Sequence, residues 1–338
     1  MAVLNRILPL LPALALTGCY ENFSPDVQSE PVMCINAIVT AGNPVEPELS
    51  HTWYYTDGSN TPWQNDQNEP DHSVADATVR IYIDGHPMPE GYTAAEGDTI
   101  RIVAESRTYG SAEAAVTVPH APAITLEGFT PRATSYGAAG DHPDYAMMDY
   151  VMFDLNVELR IDDRAATADY YRFYYEPVSY GTNEHGIEVL SRGSFNFDAE
   201  PIFSEHIGVF ESVTGSDSWG FTFFSDRQFA GDSYTLRLRL TNISYHAISV
   251  DYDERLEHCG FLLTLASVSE SYYKWCNYIW QCENGIVGDM GNVGFAPPMP
   301  GYSNVSTGAG IVAAQTPSQY YIDLTDFIRS TLASDDSL

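Results

Sequence analysis

The run YVMFDLNVELRID, residues 150–162, constrains the fold more than any other stretch of this chain. Val151, Phe153, Leu155, Val157, Leu159 and Ile161 fall on one side of an extended backbone, and Met152, Asp154, Asn156, Glu158 and Arg160 on the other. Side chains of a strand alternate between faces, so this period of two predicts a half-buried strand. The same alternation sets Leu236, Leu238 and Leu240 against Arg237 and Arg239 within 233–244, and 170–178 and 219–224 continue it. Upstream, strands are predicted at 32–40, 77–84, 99–105 and 112–118, with Asp84-Gly85 suited to a tight hairpin turn.

Pro119-His120-Ala121-Pro122 interrupts this idiom, because proline pins its own φ and pushes its predecessor to extended geometry. The expected fold is therefore mainly β: an immunoglobulin-like β-sandwich over 32–119, then a second, larger antiparallel β-sandwich or barrel domain over 120–328. One packed helix is expected near 262–280, where Leu265, Val268, Tyr272, Trp275 and Ile279 recur at helical spacing. A long glycine- and proline-rich loop over 284–306, a closing strand at 319–324 and a polar tail over 329–338 complete the reading.

The chain opens with Arg6 as its only early charge, an apolar run from Ile7 to Leu16, and then Leu16-Thr17-Gly18-Cys19. The run is about half of the roughly 20 residues that a membrane-spanning helix needs. Pro9 and Pro12 interrupt it, so it reads as a signal peptide over 1–18. Leu16-Thr17-Gly18-Cys19 resembles the bacterial lipobox, in which the cysteine thiol is acylated and becomes the new N-terminus. At ~0.8 kcal/mol per buried CH₂, two or three acyl chains on Cys19 would hold the protein on a membrane without a spanning segment. Residues 19–31 then read as a flexible tether.

With 46 acidic against 15 basic residues, the net charge of −31 speaks against nucleic acid as a partner. Four cysteines remain after Cys19, an even number in an exported chain, so up to two disulfides are expected. Cys276 with Cys282 and Cys34 with Cys259 is one pairing among three; the first requires a helix to end between two residues six apart. No metal site and no cofactor beyond the lipid is expected, since no CxxC spacing or histidine cluster accompanies the cysteines.

Four blocks carry a family resemblance beyond the lipobox: PVMCINAIVTAG, VADATVRIYIDG followed by GYTAAEGDTIRIVAES, SESYYKW, and YSNVSTGAGIVAA. Together they resemble the Bacteroidota outer-membrane lipoproteins catalogued as domain of unknown function 4249, over nearly the whole mature chain. The resemblance implies outer-membrane anchoring and association with TonB-dependent receptors in nutrient uptake, and it implies no catalytic residues. A single acid, Glu21, follows Cys19 closely, which leaves the surface and periplasmic faces both open.

Chemistry is sparse in the sequence. GAGIVA, residues 308–313, matches the glycine string of dinucleotide folds, yet it lacks the preceding strand and following helix, so glycines permitting close packing are expected instead. Asp66, Asn68, Glu69 and Asp71 crowd one loop without the calcium-loop order, and nine histidines are scattered. Trp53 and Trp63, with Tyr54 and Tyr55, could stack on a glycan or anchor a protein, although packing is the expected use. No catalytic residue is assigned. The expected function is a lipid-anchored binding or scaffold protein beside a TonB-dependent uptake system. The alternatives are an envelope hydrolase of glycans or peptides with carboxylates from distant strands, and a glycan-binding surface lipoprotein.

Overall fold

The computed structural model describes residues 30–52, 72–137, 149–164, 167–180, 188–191, 193–196, 200–204, 221–247, 258–285, 288 and 301–333. The first six strands are β1 (Met33–Thr40), β2 (Glu48–His51), β3 (Thr78–Ile83), β4 (His86–Pro87), β5 (Thr99–Ser106) and β6 (Gly110–Thr117). β3 and β4 turn at Asp84 and Gly85, both at positive φ (49° and 80°), as a two-residue hairpin turn requires. Then come β7 (Ala123–Gly137), β8 (Asp149–Asp162), β9 (Tyr170–Tyr180), β10 (Glu188–Leu190), β11 (Ser194–Phe195), β12 (Phe223–Ser225), β13 (Ser233–Ala247) and β14 (His258–Val268). Helix α1 (Glu270–Asn284), β15 (Ala309–Asp323) and helix α2 (Thr325–Ala333) follow.

These strands build three sheets, ordered β12-β9-β14-β15-β1-β2, β10-β13-β8-β7 and β4-β3-β5-β6. The six-stranded sheet is the platform for the other two. Its β1 and the first half of β15 pack on β4-β3-β5-β6 through Met33, Ile35, Ile100, Ile102, Val312 and Ala314. Its β9 and β14 pack on β10-β13-β8-β7 through Phe173, Phe261, Leu265 and the predicted inward row of β8, all buried. At ~1.5–3 kcal/mol per buried large apolar side chain, that row alone fixes the register of β8. The larger lobe is two packed sheets with no ladder joining them among the described residues, hence a sandwich rather than a barrel.

The smaller lobe departs from the sequence reading in one respect. Its second sheet is not local: β1 pairs in parallel with β15, Cys34 opposite Ala309 through Thr40 opposite Gln315. No reading of residues 32–119 in isolation could supply that partner, and Val32–Leu338 form one compact unit.

Three further differences have local causes. The expected helix near 262–280 is a strand, β14, followed by α1 from Glu270. β14 is buried on both faces, so it reads as an unbroken apolar run in which helix and strand are indistinguishable by period. β7 was unforeseen because Gly128 and Pro131 interrupt it; it is an edge strand, where proline leaves no ladder bond unmade. The polar tail begins late: α2 reaches Ala333, and its Ile328 and Leu332 are buried in the larger core.

Candidate functional site

Three strand ends converge on a knot of aspartates. Asp163 follows β8, Asp169 precedes β9, and Asp226 follows β12, whose Ser225 pairs with Tyr170. One carboxylate oxygen from each lies within 4.8 Å of the others, and Asp226 is buried. Burial and the neighbouring charges of Asp163 and Asp169 push the Asp226 carboxyl above the ordinary range, only partly offset by backbone N–H donors.

Each carboxylate is already served by donors of the protein. Tyr171 Oη donates to Asp163 Oδ1 at 2.7 Å and the Gly231 N–H to Asp163 Oδ2 at 2.8 Å. Thr167 Oγ1 donates to Asp169 Oδ2 at 2.9 Å, and Arg164 lies 3.4 Å from Asp169 Oδ1. The Asp169 N–H donates to Asp226 Oδ2 at 3.0 Å while the Asp226 N–H returns to the Asp169 carbonyl, also at 3.0 Å. Burial and the Asp163 bond raise the Tyr171 phenol, keeping it a donor. Hard oxygens so placed have the donor chemistry for a divalent cation, but the network of protein donors makes them a tie between three strand ends. No local signal marks them in sequence, since Asp226 joins the other two only through the pairing of β12 with β9.

The residues singled out from sequence fare differently. Cys19, Trp53, Trp63, Asp66, Asn68, Glu69 and Asp71 lie outside the described residues. The four remaining cysteines are free thiols. Cys276 and Cys282 sit on one uninterrupted helix, α1, whose ~1.5 Å rise per residue separates them by about 9 Å along the axis, beyond the reach of a disulfide. Cys34 lies opposite Ala309 at the start of β15, while Cys259 precedes Gly260, the partner of Asp323 at its end. A full strand length separates that second pair. Burial pushes the Cys276 thiol up to about 12 and raises Cys34 as well, so neither is a reactive thiolate.

Four polar residues of SESYYKW and YSNVSTGAG, Ser269, Ser271, Ser303 and Asn304, meet on one backbone. Ser269 caps α1 by accepting the Tyr272 N–H at 3.3 Å, and its Oγ also accepts the Ala314 N–H at 3.0 Å. Its own N–H donates to the Ala314 carbonyl at 2.8 Å. Asn304 pairs both ways with Val312, accepting its N–H at 2.9 Å and donating to its carbonyl at 2.7 Å; Ser271 donates to the same carbonyl at 3.0 Å. Ser303 donates to the Gly310 carbonyl at 2.8 Å.

β14 ends at Val268, opposite Gln315, so among the described residues the first half of β15 has no strand on that side. These side chains take the place of the missing ladder. Across the strand, a Cβ on Gly310 would run into the Ile35 carbonyl, and one on Gly308 would lie 2.7 Å from Ala112 Cβ. The glycine string thus serves close backbone packing, not a phosphate.

A model of the family described as a domain of unknown function (DUF4249) matches residues 20–320. The chain belongs to that family. No curated protein and no solved structure matches it. For this DUF4249 member the two late blocks are therefore structural: Ser269, Ser271, Ser303 and Asn304 are engaged with β15, and Ser306 and Thr307 with β6. Arg172, half-buried beneath α1, is likewise a packing group. Its guanidinium lies 4.9, 5.4 and 5.9 Å from the ring centres of Tyr174, Phe223 and Tyr272 and donates to Tyr272 Oη at 3.0 Å.

Proposed function

We propose that this DUF4249 protein is an outer-membrane lipoprotein anchored through Cys19, acting as a non-catalytic binding or scaffold component beside a TonB-dependent uptake receptor. The observation that carries the reading is the order of Leu16-Thr17-Gly18-Cys19 and the family match, which begins at the next residue, Tyr20. Acylation there would place the β-rich body at a lipid surface on a short polar segment, and no helix among the described residues is long and apolar enough to cross a membrane. The strongly acidic chain suits a non-nucleic-acid partner.

A hydrolase reading would rest on Asp163, Asp169 and Asp226. Acid–base hydrolysis needs a protonated carboxyl open to the substrate. Asp226, the one whose pKa is raised, is only 4% exposed and already accepts the Asp169 N–H, which favours the non-catalytic reading.

The test has two parts. Intact-mass analysis of the native product should show acyl chains on Cys19, and Cys19→Ser should move the protein from the detergent phase to the aqueous phase; unchanged partitioning would refute the anchor. Purified from native membranes in mild detergent, the protein should carry a β-barrel receptor, and recovery without one would refute the partnership while leaving the anchor standing.

A further inference from the structure

Strand β15 belongs to both lobes at once. Its even-numbered side chains form one row: Val312 and Ala314 lie in the smaller core and Ile322 in the larger. Between them, at the seam, the row turns polar. Thr316 Oγ1 donates to the Pro119 carbonyl at 2.5 Å, Ser318 Oγ to Pro122 at 2.9 Å, and Tyr320 Oη to Ile124 at 3.2 Å. The first two carbonyls belong to the segment between β6 and β7, and Ile124 is the second residue of β7; among the described residues this segment is the only direct chain link between the two sandwich sheets that flank the platform. Its two prolines offer no N–H, so its carbonyls are what remain to be gripped.

The neighbouring residues repeat the arrangement. Val305, just before β15, is buried in the smaller core, while Leu324, Ile328 and Leu332, just after it, are buried in the larger. Ser306 and Thr307 bond to the β6 backbone at Glu113 and Ser111. Both cores thus need residues 305–332, which follow β1 to β14 in the chain.

We infer that β15 is a late-docking spine: clamped by Ser269, Ser271 and Asn304 and strapped to the 119–124 link, it closes both cores in one step and abolishes hinging between the lobes. Until it docks, β1 has only β2 beside it and lacks its parallel partner, and the larger core is open along α2. A chain built this way stays open to either side of the seam until its C-terminal part is free to fold. Afterwards the two lobes behave as one cooperative unit, since breaking the spine exposes apolar surface in both.

Hydrogen exchange on the full-length chain, followed by mass spectrometry with increasing denaturant, tests this. In the wild type, amides of β5 and β6 and amides of β8 and β13 should exchange through a single opening at the same denaturant concentration. Ser269→Ala with Asn304→Ala should accelerate exchange in both lobes by the same factor, at least about tenfold for the four side-chain-to-backbone bonds lost. In pulse-labelled refolding the two lobes should acquire protection with one rate constant.

Separate openings in the wild type, acceleration confined to the smaller lobe, unchanged exchange in both lobes, or early protection of β5 and β6 would each overturn the inference. Should the double variant fail to fold, Tyr320→Phe, which removes a single strap, supplies the same comparison. Thr235→Ala, on the outer face of the larger lobe where its exposed Oγ1 bonds Glu127 at 3.1 Å, is the control and should leave exchange in both lobes nearly unchanged.

Discussion

The two lobes fill their interiors with different materials. The core between β1, β5, β6 and the first half of β15 is built from small aliphatic side chains, including Ala37, Ala94, Ala104, Ala112, Ala114 and Ala314, with no aromatic ring among its buried residues that the structure describes. The core beneath β8 and β13 is aromatic, with Phe153, Phe173, Phe203, Phe224, Phe261, Tyr171 and Tyr245 all buried. Aromatic rings bury ~150–250 Å² each and pair edge to face, as Phe203 does with Phe224 at 5.5 Å and an interplanar angle of 85°. Alanines bury far less. The larger lobe therefore holds most of the apolar stabilisation, and the smaller lobe depends on backbone pairing with a strand delivered from 275 residues away in sequence, Asn36 to Ile311.

The largest expected effect probes the aromatic core. Phe173→Ala should lower the unfolding free energy by about 3–5 kcal/mol, measured by denaturant titration. If the lobes are one body, probes in both should lose it together. A loss visible only in the larger lobe would make the contrast of cores a contrast of independent domains. Next comes Gly310→Val. Its residue sits at φ 104° against the Ile35 carbonyl, so the variant combines backbone strain with a collision and should cost about 2–4 kcal/mol. A stable variant would show that β1 and β15 can separate without consequence.

Smaller still, Ile102→Val in the alanine-rich core should cost about 0.5–1.5 kcal/mol. A cost as large as that of Phe173→Ala would erase the proposed difference between the cores.

The last prediction concerns the aspartate knot and has the opposite sign. Burial raises the Asp226 carboxyl in the folded state, so the stability linked to it is present below the ordinary carboxylate range and is lost as pH rises through the folded value. At pH 7.5 its charge is a liability. Asp226→Asn should then raise the thermal midpoint slightly in chelator, with the gain vanishing near pH 4. A lower midpoint at pH 7.5 would refute the electrostatic account. Added calcium should leave the wild-type midpoint unchanged; a calcium-dependent rise abolished by Asp226→Asn would turn the knot into a cation site.

How far the sequence reaches depends on how local the governing physics is. β8 and β13 were readable because each carries an uninterrupted inside–outside alternation, and the β3–β4 turn because Asp84-Gly85 tolerates two positive φ angles in a row. β14 was misread because burial on both faces erases the period. β7 was missed because an edge strand tolerates Pro131. The disulfide expectation came from counting and failed on geometry: a continuous helix holds Cys276 from Cys282, and the length of β15 holds Cys34 from Cys259. The aspartate knot was invisible, since its members come from three strand ends that only the sheet brings together.

From the order of residues alone follow the alternating strands, the family, and the expectation of a lipid on Cys19, because each depends on a short stretch whose meaning needs no distant partner. Only the folded chain decides that the last strand completes the first lobe, that serines and an asparagine in the late blocks grip a backbone, and that three aspartates meet. Those outcomes depend on which backbone donors and acceptors lie within about 3 Å of one another, and proximity between residues hundreds of positions apart is set by packing, not by local pattern.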